Sequence, residues 1–133
     1  MGKIVIYEDS FKALTDMRLL QFQPVKAGAT APLMAVLAAA TDEVLGILQD
    51  KPNINESGRV MIIGRSEAVV DGSGTAIVNG DLLGPNAAGT ALVKKTTHDF
   101  NVMAKALGAA TTSGAVIDVF LWGGSREAPV FAG

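Results

Sequence analysis

The segment Gly114–Gly124, "GAVIDVFLWGG", is the clearest strand in this 133-residue sequence, and it decides the fold class. Alternate side chains of a β-strand point to opposite faces, so the segment divides into two rows. The first row is wholly apolar: Ile117, Val119 and Leu121. The second row is mixed: Val116, Asp118, Phe120 and Trp122. The segment therefore predicts a strand that turns one face to an apolar core.

Turn signals recur about every 8 to 12 residues from Gly28 onward, and short apolar segments lie between them. This spacing is typical of small all-β domains. The segments predict strands at Leu33–Leu37, Leu45–Gln49, Arg59–Gly72 and Ala91–Thr96. We therefore predict a mainly β protein, built as a small antiparallel β-sandwich or barrel.

One or two short helices are predicted beside the strands. Asp9 or Ser10 can cap a helix that carries Phe11, Leu14 and Met17 at near-helical spacing. A second short helical turn is predicted at Thr41–Val44, and Phe100–Ala110 fits either a strand or a short helix.

The length of the chain suits one domain. Its N-terminal part carries the most charge and has no continuous apolar period. We therefore predict an extended N-terminal arm at residues 1–24, a β-rich domain at 25–122 and a C-terminal tail at 123–133.

The composition excludes several classes of protein. The chain is 49% hydrophobic and 18% charged, which argues against disorder. A formal net charge of −2 gives no general attraction to nucleic acid, and the absence of cysteine excludes disulfides and thiolate metal sites. No membrane association is expected, because the longest apolar stretch, Ala31–Ala40, is too short to span a bilayer.

The stretch Gly84–Ala91, "GPNAAGTA", has the glycine spacing of a phosphate-binding P-loop, with a hydroxyl at Thr90. It lacks the lysine of that motif, and Pro85 removes one backbone donor. The strand-like Ala91–Thr96 follows where a P-loop would begin a helix. We interpret the stretch as a turn in a β-hairpin, just after the hairpin dipeptide Asn79-Gly80.

The candidate catalytic residues do not form a recognisable set. His98 and Asp99 are adjacent, and neighbours on a strand point to opposite faces. Neither Ser66 nor Ser73 lies in a nucleophile elbow. The remaining acidic candidates are scattered through the sequence: Asp71, Asp81 and Asp118. We predict no catalytic, cofactor-binding or metal-binding residue.

Asp118 is the most informative of these carboxylates, because it lies between aromatic and apolar side chains. A buried charge there would need a partner. Mixed aromatic and polar faces are typical of subunit contacts, so we expect a neighbouring subunit to cover this face in part.

The region from Val25 to Leu121 resembles the bacteriophage head decoration, or capsid cement, proteins. The resemblance covers about three quarters of the chain and depends on the order and spacing of its elements. These are a Lys-Ala-Gly turn at Lys26–Gly28, "DEVLGIL" at Asp42–Leu48, "GRVMIIG", "NGDLLGPNAAG", "MAKALGAA" and the closing "GAVIDVFLW".

The resemblance implies a β-tulip-like structural protein without enzymatic activity or cofactor. It implies a homotrimer that binds the major capsid protein at threefold or quasi-threefold positions. The site would be the outer surface of the virion, assembled in the host cytoplasm. The expected interface residues are Phe11, Phe22, Asp118, Phe120, Trp122 and Phe131.

Two other functions stay open on sequence alone. A small β-barrel could bind a ligand or use carboxylates, with or without His98, as an enzyme. A nucleotide-dependent recombinase would require a phosphate site, which the lysine-free "GPNAAGTA" does not support.

Overall fold

The computed structural model describes residues 5–30, 32–37, 39–96 and 101–126, which form nine β-strands and no helix. The predicted mainly β class is therefore confirmed, without the one or two short helices that were also predicted. In chain order the strands are β1 (Val5–Ala13), β2 (Pro24–Ala27), β3 (Leu33–Val36), β4 (Gly46–Leu48), β5 (Ser57–Asp71), β6 (Leu82–Pro85), β7 (Leu92–Lys94), β8 (Val102–Ala106) and β9 (Ser113–Arg126).

The strand pairings close two five-membered rings that share the long strand β5. The first ring consists of β1, β3, β2, β4 and β5, and the second consists of β5, β7, β6, β8 and β9. Most pairs are antiparallel, as predicted. Each ring, however, contains one parallel pair, β1 with β3 and β5 with β7. These pairs let a short sheet curve back onto itself and leave few free edges.

Strand β5 serves both rings because successive side chains on it point in opposite directions. Val60 packs into the core of the first ring, and its neighbour Met61 packs into the core of the second. The N-terminal part of β5 pairs with β1 from Ser57 to Gly64, and the later part pairs with β9 from Ile63 to Asp71.

The two cores differ in size. The first ring encloses Ala13, Met17, Val25, Met34, Leu48 and Val60. The second core has sixteen buried residues, among them the predicted inward row of β9, Ile117, Val119 and Leu121. The prediction for the two faces of that strand is thus confirmed.

The helix predicted from Asp9 to Met17 is wrong. Strand β1 reaches Ala13 and pairs along β5 from Lys12 opposite Ser57 to Val5 opposite Gly64. Long-range pairing overrides the local spacing, because the backbone groups of this segment find their partners on β5. The predicted arm therefore contributes a strand to the first ring.

The helical turn predicted at Thr41–Val44 is also absent. The Asp42 carboxylate accepts the Ala39 N–H at 3.1 Å and the Lys26 ammonium at 3.2 Å, which closes a tight turn. The Leu45 N–H then donates to the Val25 carbonyl at 2.8 Å. This bond directs the chain into a strand before a helix can extend.

Asn79-Gly80 forms a turn, as predicted, but not a hairpin. Ile77 bridges Ala110 before the turn, and Leu82 pairs with Lys105 after it. Both residues pair antiparallel with the same stretch of chain, residues 105–110. The chain therefore leaves this ladder at the turn and rejoins it in the same direction. The Gly80 N–H anchors it to the Ala106 carbonyl at 2.8 Å.

Candidate interaction surface

The outer side of the β5–β9 pair forms a two-stranded face open to solvent. Residues paired across an antiparallel ladder point to the same side of the sheet. The face, called here the β5–β9 face, consists of four such pairs: Ile63 with Trp122, Arg65 with Phe120, Glu67 with Asp118, and Val69 with Val116. All eight residues are half-buried or exposed, whereas the alternate residues Ser66, Ala68, Val119 and Leu121 are buried.

Apolar side chains occupy both ends and the middle of this face. Val116 is 49% exposed and Phe120 is 37% exposed, although both belong to a regular, well-paired strand. Their neighbours Ile63, Val69 and Trp122 are half-buried. Contiguous apolar surface on a soluble domain commonly marks an interaction site.

Arg65 supplies the partner that the Asp118 charge requires. Its Nη2 lies 2.8 Å from the Asp118 Oδ2, diagonally across the β5–β9 ladder. Glu67 lies directly opposite Asp118 and is exposed. Like charges opposed across a ladder repel, so the single Arg65 balances only one of the two carboxylates.

The face continues onto β8. Lys105 pairs with Phe120 across the β8–β9 ladder and is exposed. The Leu107 N–H donates to the Asp118 carbonyl at 2.9 Å, and the Leu107 side chain is exposed. Phe120 is therefore flanked by a cationic residue on each neighbouring strand, Arg65 and Lys105.

A second apolar surface lies at the loops of the first ring. The Met17 N–H donates to the Pro52 carbonyl at 2.9 Å, and the Asn55 N–H donates to the Ala13 carbonyl at 2.9 Å. These bonds join two loops that carry three exposed aliphatic residues. We call this surface the loop tip: Leu14, Leu19 at 93% exposure and Ile54 at 53% exposure.

The loop tip is held by a local ion pair. The Arg18 Nη2 lies 2.8 Å from Asp16 Oδ2, and its Nε lies 3.0 Å from Oδ1. The hydrogen bonds from the Arg18 side chain, chiefly, and from its backbone N–H lower the Asp16 pKa from 3.8 to about 2. This bidentate contact restricts the turn from which Leu19 projects.

The "GPNAAGTA" stretch is a turn, as predicted, and joins the antiparallel strands β6 and β7. The Asn86 carbonyl accepts the Gly89 N–H at 3.0 Å, and its side-chain Oδ1 accepts the Thr90 N–H at 2.9 Å. Those two amides are committed to the turn itself, whereas a P-loop directs its amides at phosphate.

Both glycines of this stretch have structural roles. A Cβ on Gly84 would lie 2.3 Å from the Asn101 carbonyl oxygen, so two backbones approach where only glycine fits. Gly89 has a left-handed φ of 72°, and a Cβ there would lie 2.5 Å from the Leu37 Cβ. The spacing of these two glycines, which matches a P-loop, is therefore explained by the packing of the backbone and by the left-handed φ of Gly89.

The candidate nucleophiles are engaged in structural hydrogen bonds. Buried Ser66 accepts the Gln49 Nε2 at 2.8 Å and donates to the Glu67 carbonyl at 2.9 Å. Ser73 donates its hydroxyl to Asp71 Oδ1 at 2.6 Å, and this bond lowers the Asp71 pKa. These contacts stabilise a strand junction and a turn.

The remaining candidates are separated. Asp81 accepts the Val78 N–H at 2.9 Å and lies 3.7 Å from the Lys94 ammonium. His98 and Asp99 lie outside the described residues. Within residues 5–30, 32–37, 39–96 and 101–126, no three acidic or histidine side chains converge as metal ligands.

The predicted interface residues fall into three groups. Asp118, Phe120 and Trp122 come together on the β5–β9 face. Phe11 packs against the first core and Phe22 against the second, so both are partly used inside the fold. Phe131 lies outside the described residues.

Sequence reasoning missed Lys105 and the loop tip. The loop tip had one visible signal, bulky aliphatic residues within polar turns at Leu19 and Ile54. Only the fold joins the two loops that carry these positions, through the Met17–Pro52 and Asn55–Ala13 hydrogen bonds, because the loops are about thirty-five residues apart in sequence. Lys105 carried no signal, since its place beside Phe120 depends on the β8–β9 register.

No known protein family and no curated protein matches this sequence. Among the described residues, no helix is long and apolar enough to cross a membrane. The solved structures similar to this chain include the N base of the head fibre protein gp8.5 of bacteriophage phi29. The chain shares the fold of a phage head fibre base. The TM-score is 0.62 at 14% sequence identity, and the match covers 87% of this chain and 93% of the other.

Proposed function

We propose that this protein is a structural component of a phage head, a decoration protein that binds the outer surface of the shell. The observation that carries this proposal is the near full-length fold likeness to the N base of a phage head fibre. The resemblance of Val25–Leu121 to capsid decoration proteins, drawn from sequence, leads to the same role.

The described surface suits adhesion. Its carboxylates Asp16, Asp42, Asp71, Asp81 and Asp118 are engaged in turns and ion pairs. Six of its nine exposed large hydrophobic residues lie on the β5–β9 face with its β8 extension or on the loop tip: Val116, Phe120, Leu107, Leu14, Leu19 and Ile54. We therefore propose that the protein acts by binding alone, without catalysis and without a cofactor.

A decoration protein needs contacts with its own copies and with the shell. We propose that the β5–β9 face, through Phe120, Asp118 and Trp122, contacts neighbouring copies in a homotrimer. The loop tip, led by the almost fully exposed Leu19, would contact the major capsid protein. Three such tips on one trimer bind with avidity, because each later contact is intramolecular.

This arrangement fits a threefold or quasi-threefold position, where each tip of a trimer meets an equivalent shell subunit. A trimer there would clamp neighbouring major capsid subunits and stabilise their contacts. The protein would thus be found on the outer surface of the virion, after assembly in the host cytoplasm.

Co-sedimentation with expanded heads that lack this protein tests the proposal. We expect saturable binding, with the protein recovered in the pellet up to a fixed number of copies per head. A protein that stays in the supernatant at every concentration would contradict the proposal.

A pair of variants locates the shell contact. Leu19→Ser should weaken binding to heads about tenfold, because an exposed aliphatic anchor is lost. Val78→Ser is the matched control, since Val78 is an exposed aliphatic residue in a turn of the second ring. Equal binding by both variants would remove the loop tip from the proposal and leave the head-binding role intact.

A further inference from the structure

Opposite charges lie on opposite sides of the apolar centre of the β5–β9 face and its β8 extension. Phe120 lies in the middle, on β9. Exposed Glu67 lies on one flank, on β5, and exposed Lys105 lies on the other, on β8. Arg65, also on β5, is engaged with Asp118 at 2.8 Å, which leaves Glu67 as the unbalanced charge on that side. We therefore call the β5 side the acidic edge and the β8 side the basic edge.

Within the part of the chain that the structure describes, neither of these two charges has an oppositely charged partner. The residue opposite Glu67 is Asp118, another carboxylate, and Arg65 is engaged with Asp118 at 2.8 Å. Lys105 lies opposite Phe120 on one side and Leu82 on the other. Among the described residues, neither Glu67 nor Lys105 forms an ion pair.

Glu67 and Lys105 do not form an ion pair with each other among the described residues. They lie on strands separated by β9, and two strand spacings amount to about 10 Å. They are also offset along the strands, since Lys105 is level with Arg65 and not with Glu67. Both side chains are exposed, so another copy of the chain can reach each of them.

A cyclic trimer supplies such a partner by symmetry. In a cyclic assembly the contact is head to tail, so one edge of a patch meets the other edge of the same patch on the next copy. An acidic edge and a basic edge on either side of an apolar centre are complementary in that arrangement. The trimer itself is taken from the proposed function.

We propose that the β5–β9 face and its β8 extension form the contact between copies of this chain. Glu67 of each copy pairs with Lys105 of the next copy, and the Phe120 side chains lie nearest the threefold axis. Burial of Phe120 and Val116 supplies affinity, while the ion pair fixes orientation and register.

Native mass spectrometry of charge-reversal variants tests this proposal. The wild-type protein should be a trimer. Glu67→Lys and Lys105→Glu should each raise the concentration needed for assembly about a hundredfold, because each places like charges at all three contacts. The double variant, Glu67→Lys with Lys105→Glu, should restore the trimer.

Two controls separate the contact from general effects. Lys51→Glu changes the net charge as Lys105→Glu does, but Lys51 lies in an exposed loop near the loop tip, so the trimer should persist. Far-UV circular dichroism should show the same fold in every variant, since all three positions are exposed. Thermal unfolding is compared at a protein concentration where all variants are monomeric, because assembly itself stabilises the folded chain.

Several outcomes would overturn the proposal: a wild-type monomer or dimer, trimers that survive both single reversals, or a double variant that stays monomeric. Head co-sedimentation separates this result from the proposed function. A monomer that still binds heads removes only the subunit contact, and a trimer that ignores heads removes only the decoration role.

Discussion

The first ring encloses six buried apolar residues and the second encloses sixteen, although five strands close each of them. The loops of the smaller ring carry exposed aliphatic side chains. The larger ring has a regular two-stranded face that is exposed to solvent. Regions with fewer buried contacts adapt more easily than well-packed ones. In the proposed function, the smaller ring would contact the shell and the larger ring would form the rigid subunit contact.

Strand β5 prevents the rings from behaving as separate domains. Val60 and Met61 are adjacent and fill different cores, so displacing this strand disturbs both rings. Phe22 forms a second link between the rings. Its N–H donates to the Leu48 carbonyl on β4 at 2.7 Å, and its carbonyl accepts the Val69 N–H on β5 at 2.9 Å. We therefore expect the chain to unfold in one cooperative transition.

Leu83→Ala in the second core should have the largest effect. Leu83 is fully buried, and removing its side chain leaves a cavity in the larger core. The free energy of unfolding should fall by about 4 kcal/mol. This free energy is measured by urea unfolding, monitored by tryptophan fluorescence and by circular dichroism. A decrease below 1 kcal/mol would show that the larger core is loosely packed.

Met34→Ala probes the first core in the same way. Met34 is fully buried, but the smaller core around it should collapse in part, so the free energy of unfolding should fall by about 3 kcal/mol. The two spectroscopic probes should still report one transition. A separate early transition would mean that the first ring unfolds independently of β5.

Gly84→Ala tests the close approach of β6 to the chain that enters β8. The added Cβ would meet the Asn101 carbonyl oxygen at 2.3 Å, so we expect a loss of about 2 kcal/mol. Gly74→Ala is the control, because nothing lies within 4 Å of its Cβ position. Equal melting temperatures for the two variants would contradict the packing role of Gly84.

The smallest effect concerns two carboxylates, Asp16 in a loop of the first ring and Asp71 at the end of β5. Asp16 has a folded pKa of about 2, below its usual 3.8, so its favourable contribution is present above pH 3.8 and is lost as the pH falls towards 2. Full exposure screens this contribution. In a carboxyl titration by NMR, Arg18→Ala should raise the Asp16 pKa towards 3.8.

Asp71 provides the internal reference for that titration. Its pKa is lowered by the hydrogen bonds from Ser73, so Arg18→Ala should leave it unchanged and Ser73→Ala should raise it. Movement of both pKa values in one variant would indicate a general change in structure instead of a local contact.

The local sequence pattern was sufficient to predict which residues are buried where the side chains of a strand alternate between core and solvent. Ile117, Val119 and Leu121 fall on the buried side of β9, and Asp118 and Phe120 fall on the other, as the alternation requires. The "GPNAAGTA" turn was predictable for a similar reason, because Pro and Asn after a glycine favour a turn.

Features fixed by long-range pairing could not be predicted. Strand β1 owes its conformation to Ser57–Gly64, which lies more than forty residues away, and a local capping signal at Asp9 pointed to a helix instead. Two other features depend on the register of the sheet. These are the parallel strand pairs that close the rings and the pairing of Lys105 with Phe120. Register is set by the whole fold.

Electron cryomicroscopy of expanded heads, incubated with and without this protein, tests the central claim most directly. The account predicts added density on the outer surface at threefold or quasi-threefold positions. Three copies of the two-ring fold should fit each feature, with the loop tips against the shell. Heads that look identical with and without saturating protein would contradict the account.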